Sequence, residues 1–146
     1  MMSYRERLWP APWIYIATAL VIPASLLVFL PIDMIVGIIV AIVLYGGIVG
    51  LLLFTTPTVE VADGVLRAGR ARLPLSVVGE VVAAKGADAV RERGTGLHAD
   101  AWLLIRGWIP DVVRVELVDP ADPTPYWLVS SRRADELAAA ISSARA

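Results

Sequence analysis

The sequence predicts a membrane-anchored α+β protein: an α-helical hairpin that crosses a bilayer, followed by a compact β-rich domain closed by a C-terminal helix. Three observations predict it. Two stretches near the N-terminus, Trp13 to Leu30 and Met34 to Phe54, carry no charged side chain, and Asp33 is the only residue between Trp13 and Phe54 charged at neutral pH. Nearly all other charge lies at residues 5–7 and after Thr58. Beyond Phe54 the apolar pattern changes from continuous to alternating, which is the period of a half-buried strand.

Each apolar stretch can span a hydrocarbon core of about 30 Å at about 1.5 Å rise per residue, the first only just. Lipid supplies no partners for backbone amides, so both are expected to be helical. Pro31, Ile32 and Asp33 leave room only for a tight reversal, and Pro23 is expected to bend the first helix. Arg5 and Arg7 precede the first span, Arg67, Arg70 and Arg72 follow the second, and the reversal has no basic residue. The positive-inside rule then places both termini in the cytoplasm of a multi-pass plasma-membrane protein. Trp9, Trp13 and Tyr15 fall where an interfacial aromatic belt is expected. A cleaved signal peptide competes weakly, since no small-residue cleavage pattern follows the first run and a second span comes at once. Gly46 and Gly50 form a GxxxG step. It is expected to pack on Ala17, Ala24 and Ser25 within the hairpin, with homo-oligomerisation as the alternative.

The domain boundaries predicted are 1–12 for a cytoplasmic N-terminal segment, 13–54 for the hairpin and 55–146 for the β-rich domain. A strand is expected over 58–62, the Asp63-Gly64 turn leads to a second over 65–72, and Pro74 ends it. Residues 77–84 read as a third strand and the polar, Gly-flanked 85–96 as a loop. Strands follow over 101–106, 112–118 and 126–130. Asp119 to Pro125 holds three prolines in seven residues, which forbids ladder pairing and makes a rigid loop. The chain closes with an amphipathic helix: Ser131 is placed to cap it, Asp135 and Glu136 lie in its first turn, and Ala134, Leu137, Ala138 and Ile141 share a face. Six strands and a C-terminal helix suit a small split β-barrel or bent antiparallel sheet plugged by the helix, the pleckstrin-homology-like architecture.

Composition narrows the function classes. A formal net charge of −1 gives no global field for nucleic acid, and no basic run with interleaved aromatics is present. The absence of cysteine removes disulfides and thiolate metal sites. Lys85 is the single lysine, a bias typical of GC-rich bacterial genomes.

The segments YRERLWPAPW, LRAGRARLPL, ADAWLLIRGW and DPADPTPYWLVSSRRADELAAAI resemble small actinobacterial membrane proteins gathered as a domain family of unknown function. That resemblance covers essentially the whole chain. It implies two N-terminal spans and a soluble C-terminal part, and it brings no reaction.

Candidate chemistry is sparse. Asp119 and Asp122, with Asp111 and Asp100 on neighbouring segments, offer the oxygen ligands a divalent cation takes. Aspartate before proline more simply starts a turn. His98 is the only histidine, and it cannot build a zinc site alone. Ser130 and Ser131 lack a nucleophile motif, and Gly94-Thr95-Gly96 lacks the lysine of a phosphate loop. Arg67, Arg70 and Arg72 are candidates for contact with the membrane surface. Trp108, Tyr126, Trp127, Asp119, Asp122 and Arg132 are the candidate contacts to a protein partner, with Trp108 the best placed for an exposed anchor and core packing the simpler fate. Arg132 and Arg133 oppose the helix dipole, and a pairing with Asp119 or Asp122 would account for them. No catalytic set and no cofactor is expected. The function expected is a membrane-anchored binding or scaffold module; the alternatives are a metal-dependent enzyme using Asp119, Asp122 and His98, or a lipid-responsive module.

Overall fold

The computed structural model describes residues 2–145, which fall into two units: residues up to Leu8 together with those from Pro57 onward, and Trp9–Thr56. The first unit holds two four-stranded sheets. Sheet one is an antiparallel meander of β1 (Met2–Arg7), β2 (Thr58–Ala62), β3 (Val65–Ala68) and β4 (Ala71–Pro74).

Strand β1 corrects the expected boundary, because the N-terminal segment belongs to the β-rich unit. Tyr4, Glu6 and Leu8 point inward and are buried, whereas Arg5 and Arg7 are exposed, which is the two-residue period of a strand. Tyr4 pairs with Val61, Glu6 with Val59 and Arg7 with Thr58, and the Leu8 amide donates to the Pro57 carbonyl at 2.9 Å. The apolar hairpin is thus an insertion between two hydrogen-bonded strands.

Asp63 and Gly64 take φ of 54° and 73°, the paired left-handed conformations of the expected tight turn. The expected single strand over 65–72 is instead folded in two. Gly69 takes φ of 62° and its amide reaches the Thr58 carbonyl at 2.9 Å, so the chain reverses there and β4 returns along β3.

Sheet two has the order β5 (Val78–Ala84), β7 (Val112–Leu117), β8 (Tyr126–Ser130), β6 (Trp102–Leu104). The first three are antiparallel neighbours; β6 joins the edge parallel to β8. The expected loop over 85–96 is largely a helix, α4 (Gly86–Arg93), which buries Ala89 in a small cluster with Ala84, Val112, Tyr126 and Leu128 on the outer face of this sheet. The main core lies among the two sheets and the C-terminal helix α5 (Ala134–Arg145), where Leu8, Val59, Val61, Leu66, Ile109, Val113, Val115 and Val129 meet Leu137 and Ile141. Ala134, Leu137 and Ile141 of the expected stripe are buried and Ala138 is half-buried.

In the second unit the first apolar stretch is two helices, α1 (Pro12–Thr18) and α2 (Val21–Phe29). Pro23 has no amide proton and its ring crowds the carbonyl four residues back, that of Ala19. That carbonyl accepts instead from Ile22 at 3.0 Å, a tighter turn that separates the two helices. α3 (Met34–Phe54) begins at Asp33, whose carboxylate accepts from the Ile35 amide at 2.9 Å. It packs on α2 at Gly37, Ala41 and Ser25. Gly46 and Gly50 are exposed and a Cβ at either would meet nothing within 4 Å, and Ala17 and Ala24 are exposed too. The GxxxG step therefore does not pack within the hairpin as expected. The Tyr45 hydroxyl donates to the Tyr15 carbonyl at 3.2 Å, which accounts for a phenol in an apolar helix.

Candidate functional site

The aromatic candidates sit in cores. Trp127 is 6% exposed and stacks on Trp102, with ring centroids 4.3 Å apart, so it supplies core packing and not a contact surface. Tyr126 is likewise buried; its hydroxyl accepts from the His98 amide at 2.8 Å, and the Arg114 guanidinium lies 4.5 Å over its ring. Trp108 is half-buried against the main core, and among the described residues its buried indole N–H has no partner.

The aspartates behave as turn formers. Asp119 accepts from the Ala121 amide and Asp122 from the Thr124 amide, both at 2.9 Å, giving two successive side-chain turns through the proline-rich loop. His98 is exposed and its Nδ1 accepts from the Asp100 amide at 3.1 Å. Among the described residues no three His, Cys, Asp or Glu side chains come together as a metal would require. The structure does not assemble Asp119, Asp122 and His98.

Arg133 does not turn toward the aspartates. It lies 4.8 Å over the Tyr4 ring, donates to the Arg5 carbonyl at 2.7 Å and reaches Glu136 at 3.4 Å. The Arg132 backbone amide donates to Glu6 at 2.8 Å. These contacts surround a buried polar cluster that sequence reasoning missed. Glu6, 7% exposed, accepts on one oxygen from the Tyr4 and Ser131 hydroxyls, each at 2.6 Å, and on the other from Arg132. Ser131 in turn accepts from the Arg133 amide at 3.1 Å, a side-chain turn just ahead of the helix. Helix α5 begins at Ala134 and the Arg133 carbonyl takes its first bond, from Leu137, so Ser131 does not cap the helix as expected and is held by Glu6 instead. Burial, and then the hydrogen bond to Glu6, push the Tyr4 phenol up to about 12.

Two of the three arginines singled out for the membrane surface, Arg67 and Arg72, share one face of sheet one with Arg5 and Arg7. Arg5 pairs with Glu60, Glu60 with Arg67 and Arg67 with Arg72, making one row across four strands. Arg7 follows two residues along β1, and Arg70 sits in the β3–β4 turn. Glu60 is the one acid in that row.

A family model described as "Protein of unknown function (DUF3093)" matches residues 3–141. The chain belongs to this family. The DUF3093 match starts in β1 and ends in α5, so it takes in the β-rich unit and the inserted hairpin together. No curated protein and no solved structure matches the chain.

Proposed function

We propose that this DUF3093 protein is a multi-pass membrane protein of the bacterial plasma membrane with both termini cytoplasmic, and that its β-rich unit is a non-enzymatic module that binds a protein partner or orders a membrane complex. The observation that carries the reading is the insertion of an uncovered apolar hairpin between paired strands. Two segments, Pro12–Phe29 and Met34–Phe54, are long and apolar enough to cross a membrane, and only 6% and 11% of their most apolar windows are buried. A soluble protein would bury such helices in its core. The strand pairing of β1 with β2 argues against a cleaved signal, since cleavage after the first apolar run would remove an edge strand and Glu6 from the folded unit.

The pleckstrin-homology-like reading belongs here too. A four-stranded meander, three further antiparallel strands and a closing helix support it by order of elements; α4 and β6, placed between β5 and β7, depart from it.

Topology is tested by single cysteines in this cysteine-free chain, labelled in intact cells with a membrane-impermeant maleimide. Ile32→Cys in the reversal is expected to label from outside and Thr95→Cys only after lysis. Labelling of Thr95→Cys in intact cells would overturn the orientation. The module role is tested by mild-detergent co-purification of the full chain from native membranes, and recovery of this chain alone under several detergents would count against it.

A further inference from the structure

We propose that the outer face of sheet one is a docking surface for the anionic phosphate headgroups of the bilayer that anchors the protein; this rests on the hairpin crossing that bilayer. Sheet pairing, and not sequence proximity, builds the face. Arg5, Arg67 and Arg72 come from three strands, and with Glu60 they form one row of four neighbours that spans about 14 Å at about 4.8 Å between strands. Arg7 and the turn residue Arg70 extend it toward the end where the chain leaves for the helices. Three arginines stand against one glutamate in that row, in a chain whose formal net charge is −1, which leaves the rest of the molecule net acidic. The small net charge hides a strongly polarised unit.

Arg5, Arg70 and Arg72 are exposed. Among the described residues the guanidinium groups of Arg5, Arg67, Arg70 and Arg72 form no ion pair, and the Arg67 Nε is buried without a hydrogen-bond partner. The protein therefore concentrates cationic forks on one face, with one carboxylate, Glu60, in their row. Arg67 and Arg72 are direct cross-strand neighbours, and like charges so placed are unfavourable unless an anion sits over them. Planar guanidinium groups match phosphate oxygens two at a time, and arginine is used here to the exclusion of lysine, whose single copy, Lys85, pairs with Asp135 elsewhere. The source of the phosphate follows from chain connection. Only Trp9–Ala11 separate Leu8 from α1, and only Thr55–Pro57 separate α3 from β2, so two three-residue links join this sheet to the helices. Headgroup phosphates are the anions in high local concentration where such helices leave a bilayer.

The test uses the full chain in nanodiscs, carrying a fluorophore on Pro74→Cys, an exposed outer-face position of β4. Lipids with a nitroxide on the headgroup are expected to quench this label at least twofold more in discs containing phosphatidylglycerol than in pure phosphatidylcholine, with the difference lost at high salt. The triple variant Arg5→Gln/Arg67→Gln/Arg72→Gln is expected to lose the difference. The matching triple Arg→Lys variant should retain part of it, and Arg93→Gln/Arg114→Gln on the other side of the fold should retain all of it. Tryptophan-detected melting reports that each variant is folded. Equal quenching in both lipids, undiminished quenching in the folded triple Gln variant, or no quenching in either lipid would overturn the proposal, the last favouring an acidic protein partner. Loss of the difference on adding soluble glycerol phosphate at low millimolar concentration, with ionic strength held constant, would assign the face to a free phosphate ligand and overturn the membrane source. A label on Gly46→Cys, quenched by acyl-chain nitroxides in either lipid, reports the crossing separately. Its failure would sink the membrane anchor, and its success beside a silent position 74 would sink only the docking face.

Discussion

Glu6 occupies a position that the alternation of β1 assigns to an apolar side chain. It is tolerated because three donors from the two ends of the chain, the Tyr4 and Ser131 hydroxyls and the Arg132 amide, satisfy both carboxylate oxygens. Removing the acceptor leaves buried donors unmade, which costs more than the bonds themselves contribute. Glu6→Ala is therefore expected to destabilise the β-rich unit by about 3 kcal/mol, and Glu6→Gln by less, measured by tryptophan-detected melting of the full chain in detergent. Tyr4 adds a pH dependence. Its folded value of about 12 lies above the ordinary 10.0, so folding favours the neutral phenol. The stabilisation is whole below pH 10 and is lost as pH rises toward 12, with a size of about 2 to 3 kcal/mol at about 1.4 kcal/mol per unit. Melting temperatures at pH 9 and pH 11.5 should diverge more for the native protein than for Tyr4→Phe, and equal divergence would refute the assignment.

At the scale of elements, the turns and breaks are set by single residues and the helices by what they cover. Gly69 splits the predicted second strand, and Pro23 splits the predicted first helix through the Ala19 carbonyl. Helix α4 looks like a loop in sequence because it offers only Ala89 to a core, and a single buried methyl leaves no periodic apolar stripe. Contact between α2 and α3 gives a further expectation. A Cβ at Gly37 would lie 3.2 Å from the Phe29 Cβ, while one at Gly46 meets nothing within 4 Å. Gly37→Ala is expected to weaken the hairpin by about 1 kcal/mol. Gly46→Ala should leave it unchanged or more helical by up to about 1 kcal/mol. Loss of helicity on SDS titration of the purified protein, compared among the two variants and the native chain, checks both.

For the whole molecule, the decisive feature is that the β-rich unit is discontinuous in sequence. Residues 58–146 alone lack β1, so Val59 and Val61 keep β3 but lose their partners on the other side, and the segment leading into α5 loses Glu6. Because the Leu8 amide and Pro57 carbonyl are 2.9 Å apart, a tight turn can replace the hairpin. A chain joining Leu8 to Pro57 through Asn-Gly is expected to fold in water without detergent and to melt cooperatively. The fragment from Pro57 onward is expected to aggregate or melt without a cooperative transition. Equal behaviour of the two, judged by sedimentation and thermal melting, would refute the inserted arrangement.

The apolar hairpin, the Asp63-Gly64 turn, strand β8 and the C-terminal helix were legible in sequence because each rests on local signals: uninterrupted apolar length, a turn dipeptide, or a face repeating within one element. Strand β1, the Glu6 cluster and the arginine row were not, because each depends on residues from distant parts of the chain becoming neighbours. Glu6 reads as a surface charge until Tyr4, Ser131 and Arg132 surround it. Arg5 and Arg72 read as separate flanking charges until four strands pair in register. Local chemistry determined the elements, while tertiary pairing decided which charges are buried, which are gathered on one face, and where the domain begins.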